Sequence, residues 1–183
     1  MIYLFLAEGF EEIEALTPVD LLRRAGAEVK TVGVTGKTVS GSHGISVMTD
    51  LDAEEAAREL ENGVSVDMII LPGGMPGSSN LDASPLVDAF IVEAEKQNAY
   101  MAAICAAPFV LGRRGLLEGR RAVCYPGFEA ELKGANVENT GVVEDGKRIT
   151  ARAMGSALEF ALTLVRVMCG KEAADQVAAA IIY

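Results

Sequence analysis

Short apolar runs that alternate with amphipathic segments govern what this chain can fold into. Ile2 to Leu6, Glu28 to Val34, Asp67 to Leu71 and Tyr100 to Ile104 read as strands. Between and after them lie segments with helical patterning: Glu11 to Ala25, Ala53 to Leu60, Pro85 to Gln97 and Ala106 to Arg113. The first stops at Gly26 and carries Pro18, where a kink is expected; the third starts from Ser84 as N-cap with Pro at its first position. Strands that alternate with helices in this way build a mostly parallel sheet covered by helices. Val39 to Met48 reads as an edge hairpin, with Gly41 and Gly44 supplying its turn. Further strands are expected at Ala122 to Tyr125, Val137 to Val143 and Arg148 to Ala151. Two helices, Ser156 to Met168 and Lys171 to Ala180, follow. No repeat, low-complexity tract or linker interrupts the pattern, so residues 1–183 are read as one domain.

Composition narrows the functional classes. Half the residues are hydrophobic and 23% are charged, which is a globular balance. A chain of this length buries roughly 70% of its unfolded surface and needs no disulfide or metal staple. The net charge of −10 argues against a phosphate-backbone binder, and no basic run exceeds two residues. No nucleic-acid partner is expected. No apolar stretch nears the ~20 residues of a membrane span, so no membrane partner is expected either. Met1 to Leu6 has no basic flank and soon reaches Glu8, unlike a signal peptide. Three cysteines without a CxxC pair fit reduced thiols in a cytoplasmic location. One histidine, His43, excludes a His-rich metal site. Gly36-Lys37-Thr38 is not a P-loop, because Thr31 stands where the first glycine is required. GxGxxG and GxSxG are absent, so no cofactor is expected.

Cys105 lies in Ala102-Ala103-Ile104-Cys105-Ala106-Ala107-Pro108, where a buried strand meets a helix. A sharp turn there exposes a nucleophile at the carboxyl edge of a parallel sheet. The helix that follows is expected to favour the thiolate and lower its pKa from about 8.5. The competing reading is a small buried hydrophobe. Leu71-Pro72-Gly73-Gly74 closes the preceding central strand. Its two glycines permit close backbone approach, although a tight turn is the plainer reading. Beside the elbow, the amides of Gly74 and Ala106 can cradle an oxyanion. Glu8, Glu11, Glu12 and Glu14 crowd the start of the first helix, and most read as solvated acids. Glu14, among Ile13, Ala15 and Leu16, can instead reach a dry pocket and move protons. His43, in Ser42-His43-Gly44, reads as a surface or interface residue.

These residues resemble the ThiJ/PfpI family over nearly the whole chain. The likeness rests on Ala7-Glu8-Gly9-Phe10-Glu11-Glu12-Ile13-Glu14, Pro18-Val19-Asp20 with Arg23-Arg24-Ala25-Gly26, and Leu71-Pro72-Gly73-Gly74. It continues through the Cys105 segment and Glu159-Phe160-Ala161-Leu162. The resemblance implies a flavodoxin-like three-layer α/β sandwich, a homodimer, and reactive Cys105 paired with protonated Glu14. It places Gly74 and Ala106 at the anion-binding amides; Gly73 and Tyr125 are expected to be oxyanion- or substrate-binding residues with them. Two positions depart from the family pattern. Tyr125, before Pro126, fills a slot where members often carry His, and a phenol is a poor base at neutral pH. Ala106 follows the nucleophile where peptidase-like members carry His, so peptidase or amidase chemistry lacks its base. His43 falls where the deglycase branch has an Arg on a dimer-facing hairpin.

Two functions follow as expectations. One is a cofactor-independent enzyme acting on 2-oxoaldehydes such as methylglyoxal and glyoxal, or on their early protein adducts. The other is a redox sensor or stress chaperone in which Cys105 is oxidised to a sulfinate held by Glu14. Cys105 is expected to be the one readily alkylated thiol, with Cys169 buried by an apolar stripe and Cys124 facing away from Tyr125.

Overall fold

The computed structural model describes residues 1–183. In chain order the elements are β1 (Ile2–Leu6), α1 (Glu12–Arg24), β2 (Val29–Gly33), β3 (Thr38–Ser40), β4 (Ser46–Met48) and β5 (Leu51–Asp52). Next come α2 (Ala53–Glu61), β6 (Met68–Leu71), α3 (Gly77–Asp82), α4 (Pro85–Lys96), β7 (Tyr100–Ile104) and α5 (Pro108–Arg113). The chain ends with β8 (Arg121–Ala122), β9 (Asn136–Val137), β10 (Val142–Asp145), β11 (Arg148–Ala151), α6 (Ala157–Cys169) and α7 (Lys171–Ala180). Seven strands form the main sheet in the order β10-β11-β7-β6-β1-β2-β5. All neighbours are parallel except the β10–β11 pair at one edge.

Strand alternation sorts the core into two layers. On one face Tyr3, Phe5, Ile69, Leu71, Met101 and Ala103 pack with Phe90, Ile91 and Phe109. On the other, Leu4, Leu6, Ile70, Ala102 and Ile104 pack with Ala15, Val19 and Leu22 of α1 and Phe160 and Leu164 of α6. Both faces of the central strands are therefore covered, which explains why their sequences are apolar without a break. No helix is long and apolar enough to cross a membrane.

The order of the strands locates the crevice. Among the parallel strands, β1 runs on to β2 on one side, while β6, β7 and β11 follow on the other. The winding reverses between β1 and β6, and ligands of open α/β sheets bind outside the carboxyl ends of strands at such a point. The segments leaving β1, β6 and β7 contain Glu14, Gly73-Gly74 and Cys105 respectively.

Several expectations change in detail. The α1 helix runs through Pro18 to Arg24, and Glu11 is its cap, accepting the Glu14 amide at 2.7 Å. The β3–β4 hairpin is not an edge of the main sheet but a separate two-stranded sheet. It is tied to the start of α1 by a bridge between Phe10 and Gly41. The strand expected at Ala122 to Tyr125 shrinks to β8, because Val123 and Tyr125 donate their amides to the Thr150 side chain and the Cys105 carbonyl. The strand expected at Val137 to Val143 divides into β9 and β10. The short α3 has no counterpart in the sequence reading, since Gly77-Ser78-Ser79-Asn80 is poor helix-forming sequence. Cys169 is half-buried rather than buried, because the end of α6 borders a surface depression lined by Met1 and Ala27.

Phe90 is fully buried, its ring 4.8 Å from that of Tyr3 and 5.0 Å from that of Phe5, centroid to centroid. Phe90→Ala is expected to destabilise the fold by about 3–5 kcal/mol, read from the denaturant midpoint.

Candidate active site

Cys105 follows β7 with φ = 65°, a left-handed conformation unusual for a residue with a side chain. Two main-chain hydrogen bonds hold it there. Its amide donates to the Ala151 carbonyl at 2.9 Å, and its carbonyl accepts the Tyr125 amide at 2.7 Å. The turn directs the half-buried sulfur toward the backbone amides of Ala106 and Gly74. An ion-pair network steadies the helices that follow the two turns. Arg114 on the elbow side bonds both the carboxylate of Asp82, at 2.6 Å, and its carbonyl, at 2.9 Å.

Glu14 enters from α1 and is 1% exposed. Its Oε2 accepts the Gly73 amide at 3.0 Å, and its carboxyl faces Cys105 across Gly73. Glycine at position 73 is a steric requirement. A Cβ there would lie 2.3 Å from Glu14 Oε2 and 2.5 Å from Cys105 Cβ. Gly74 has φ = 86°, and its missing Cβ would meet the Glu11 amide at 2.4 Å.

Electrostatics couple the acid and the thiol. Burial pushes Glu14 up to about 7, helped by the Glu11 charge and opposed by hydrogen bonds from Cys105, Gly73 and Met154. Burial, then the charge and hydrogen bond of Glu14, push Cys105 up to about 12, against the Ala106 and Gly74 amides. This reverses the expected direction for the thiol: the two amides do not outweigh burial beside a carboxylate. At neutral pH the sulfur holds the proton whenever Glu14 is charged, so Glu14 is placed to receive that proton.

The structure thus unites Glu14, Gly73, Gly74, Cys105 and Ala106. It corrects the role expected of Gly73, whose amide is committed to Glu14. The Tyr125 backbone joins the elbow, but its ring is 47% exposed and its hydroxyl bonds neither Glu14 nor Cys105. Cys124 is buried, facing away from that ring as the alternation implied. Burial, then Glu129, push its thiol up to about 11. Glu12, read as a solvated acid, is 3% exposed. It accepts the His43 amide at 2.7 Å and lies 2.8 Å from His43 Nδ1, contacts that bring it down to about 2 although burial works the other way. His43 itself is exposed, as expected of a surface residue. The Ala151 carbonyl and the Met154 amide escaped the sequence reading; their only signal was a position at the end of a strand and just beyond it.

A cysteine on a left-handed elbow, beside a buried glutamate at the winding reversal of a parallel sheet, defines a flavodoxin-like α/β protein with a candidate site at that cysteine. The chain matches the DJ-1/PfpI family over residues 1–167 and belongs to it. Protein dj-1beta of Drosophila melanogaster is 36% identical over 176 residues, covering 94% of this chain and 91% of that protein. A protein named glutathione-independent glyoxalase DJR-1.2, of Caenorhabditis elegans, is 31% identical over 167 residues, covering 90% and 86%. The structure of oxidized Toxoplasma gondii DJ-1 superposes with a TM-score of 0.91 at 37% identity, covering 100% of this chain and 97% of that one.

The raised carboxyl sets a pH dependence. Folded Glu14 binds its proton more tightly than the unfolded chain, whose carboxyl titrates near 4.5. Its contribution to stability is complete below that value and is lost as pH rises through about 7. Glu14→Gln does not titrate. Its thermal stability relative to wild type is therefore expected to rise between pH 4.5 and 7 by roughly 3 kcal/mol and then level off. A difference that stays flat across this range would mean that Glu14 is not buried as described.

Proposed function

We propose that this protein is a cofactor-independent enzyme of 2-oxoaldehydes such as methylglyoxal and glyoxal, or of their early protein adducts, using Cys105 as nucleophile and Glu14 as acid and base. The supporting observation is the buried Glu14 carboxyl packed against Cys105 across Gly73, with the Gly74 and Ala106 amides beside the same cysteine. The similarity to a named glyoxalase adds to it.

With methylglyoxal, Glu14 takes the thiol proton as Sγ attacks the aldehyde carbon. The carbonyl electron pair moves to oxygen, which the Gly74 and Ala106 amides hold. Glu14 returns the proton to that oxygen, giving a hemithioacetal. The Glu14 carboxylate then takes the hydrogen from the former aldehyde carbon as a proton, forming an enediolate, and delivers it to the adjacent carbon while the hydroxyl proton of the first carbon passes to the oxygen of the second, leaving a thioester. The first carbon is oxidised and the second reduced, so no external electron carrier is consumed. Water cleaves the resulting thioester, releasing lactate and the thiol. With Tyr125 in place of a histidine, one carboxyl performs each transfer in turn, and slow turnover is expected.

Cys105→Ala is expected to abolish methylglyoxal consumption. Glu14→Gln should reduce it by ~10²–10⁴-fold, the range for a lost general acid–base. Iodoacetamide labelling of Cys105 in Glu14→Gln should be no slower than in wild type, because the charge that raises the thiol is gone. Full turnover in Glu14→Gln would show that another group moves the proton.

A redox role for the same residues is the second reading. The two amides and a protonated Glu14 suit a sulfinate on Cys105. Consumption of one methylglyoxal per chain, without turnover, would favour it. We also propose a homodimer. Ile13 on α1 and Ile45 and Met48 on the hairpin are 49%, 55% and 78% exposed, and the Glu12–His43 contact joins these two elements. Sedimentation at micromolar concentration should give twice the chain mass; the mass of one chain would refute the dimer.

A further inference from the structure

A closed ring of three hydrogen bonds joins the start of α1 to the turn after β6. The Glu11 amide donates to the Gly73 carbonyl at 2.9 Å. The Gly73 amide donates to Glu14 Oε2 at 3.0 Å. The Glu14 amide donates to Glu11 Oε2 at 2.7 Å. Gly73 is thereby pinned on both sides, by the helix-start amide on one and by the Glu14 carboxyl on the other. The approach is close, since a Cβ on Gly74 would lie 2.4 Å from the Glu11 nitrogen. Gly73 and Glu14 already have places in the site, whereas Glu11 has only that of a helix cap.

A cap does not require this residue type. Ser, Thr, Asp and Asn are the usual N-caps, and a hydroxyl or an amide oxygen accepts the same backbone N–H. What the Glu11 carboxylate adds is charge. The ring fixes that charge three residues from Glu14 on a half-buried side chain, where screening by water is incomplete. Burial is the first cause of the raised Glu14 carboxyl, and Glu11 is the neighbouring charge that adds to it. The other titratable groups around the pair have stated partners. Cys105 bears on Glu14 from the elbow. Glu12, between the two acids on α1, is turned to the hairpin and lies 2.8 Å from His43 Nδ1. From the hairpin, His43 feels Glu11 as well as Glu12.

We propose that Glu11 is a positioning residue for the proton transfers assigned to Glu14: through the ring it holds that carboxyl in place against Gly73, and its own charge disfavours a second negative charge there. The inference rests on the enzymatic reading above, in which one carboxyl both takes and gives a proton. A group serves both directions best when neither of its forms dominates at the working pH. Glu11 takes no proton itself and acts through Glu14.

Three substitutions separate the cap from the charge. Glu11→Gln and Glu11→Ser keep an acceptor for the Glu14 amide and remove the charge, whereas Glu11→Asp keeps both. The direct readout is the titration of the Glu14 carboxyl by carbon-13 NMR, its signal identified by its absence in Glu14→Gln. The midpoint should fall by roughly half a unit in Glu11→Gln and Glu11→Ser, the size of one partly screened neighbouring charge, and should return toward wild type in Glu11→Asp. The fall should persist when both proteins also carry His43→Gln, which keeps imidazole titration out of the curve. In the methylglyoxal assay, the acid limb of kcat/KM reports the base of the free enzyme. A base that titrates lower keeps working at lower pH. The limb should therefore move down by the same half unit in Glu11→Gln, leaving about threefold more of the plateau rate than wild type retains at a pH on the limb. A role confined to capping would lower the whole profile without moving its limb. That result, or an unmoved Glu14 titration in Glu11→Gln, would overturn the proposal. If wild type consumes no methylglyoxal while the Glu14 midpoint moves as described, the enzymatic reading fails and the hold of Glu11 on Glu14 stands.

Discussion

The approach of the Glu14 carboxyl to Cys105 across Gly73 is the contact on which the rest of the site depends. Three chain segments meet there, leaving β1, β6 and β7, and the space between acid and thiol is too small for a single methyl group. Because the carboxyl is buried and the sulfur lies against it, neither group titrates as it would in water. The proton they hold between them is the one that the proposed chemistry moves. The sheet, with both faces sealed by helices, keeps the three segments in register.

The apolar runs, and with them the central strands, were readable because strands buried on both faces leave a strong local signature. Ile2–Leu6 and Tyr100–Ile104 stand as read. The edges were harder to read. β5, β8 and β9 are two residues each, and their pairing is set by distant partners rather than by local pattern. Cys105, Gly73-Gly74 and Glu14 could be identified because their types are unusual for their positions: a thiol at a strand end, paired glycines after a strand, an acid among aliphatic neighbours. Glu12 could not be told from its solvated neighbours, since its burial comes from a hairpin thirty residues downstream in the chain. The direction of the Cys105 shift was misjudged for a related reason. A residue's place at a helix start is local, whereas the balance of burial against amides depends on what packs around it.

Charge is distributed with the same logic. The acidic chain engages nearly every arginine in a surface ion pair, and pairs of that kind contribute little to stability. Their effect is to leave few cations uncommitted. In the first turn of α1, three acids have three separate uses: Glu11 caps the helix, Glu12 anchors the hairpin, and Glu14 faces the thiol.

The left-handed backbone at Cys105 has a consequence for how this molecule tolerates change. A side chain in that conformation costs about 1–2 kcal/mol relative to the right-handed region, and glycine would relieve it. The chain therefore keeps, at the elbow, a residue that its own fold disfavours. Two main-chain hydrogen bonds absorb the strain, so the elbow's shape is set by the backbone and not by sulfur. Chemistry at this point can be exchanged by substitution while the architecture stays in place, and a stability screen alone would select against the very residue on which the proposed chemistry rests.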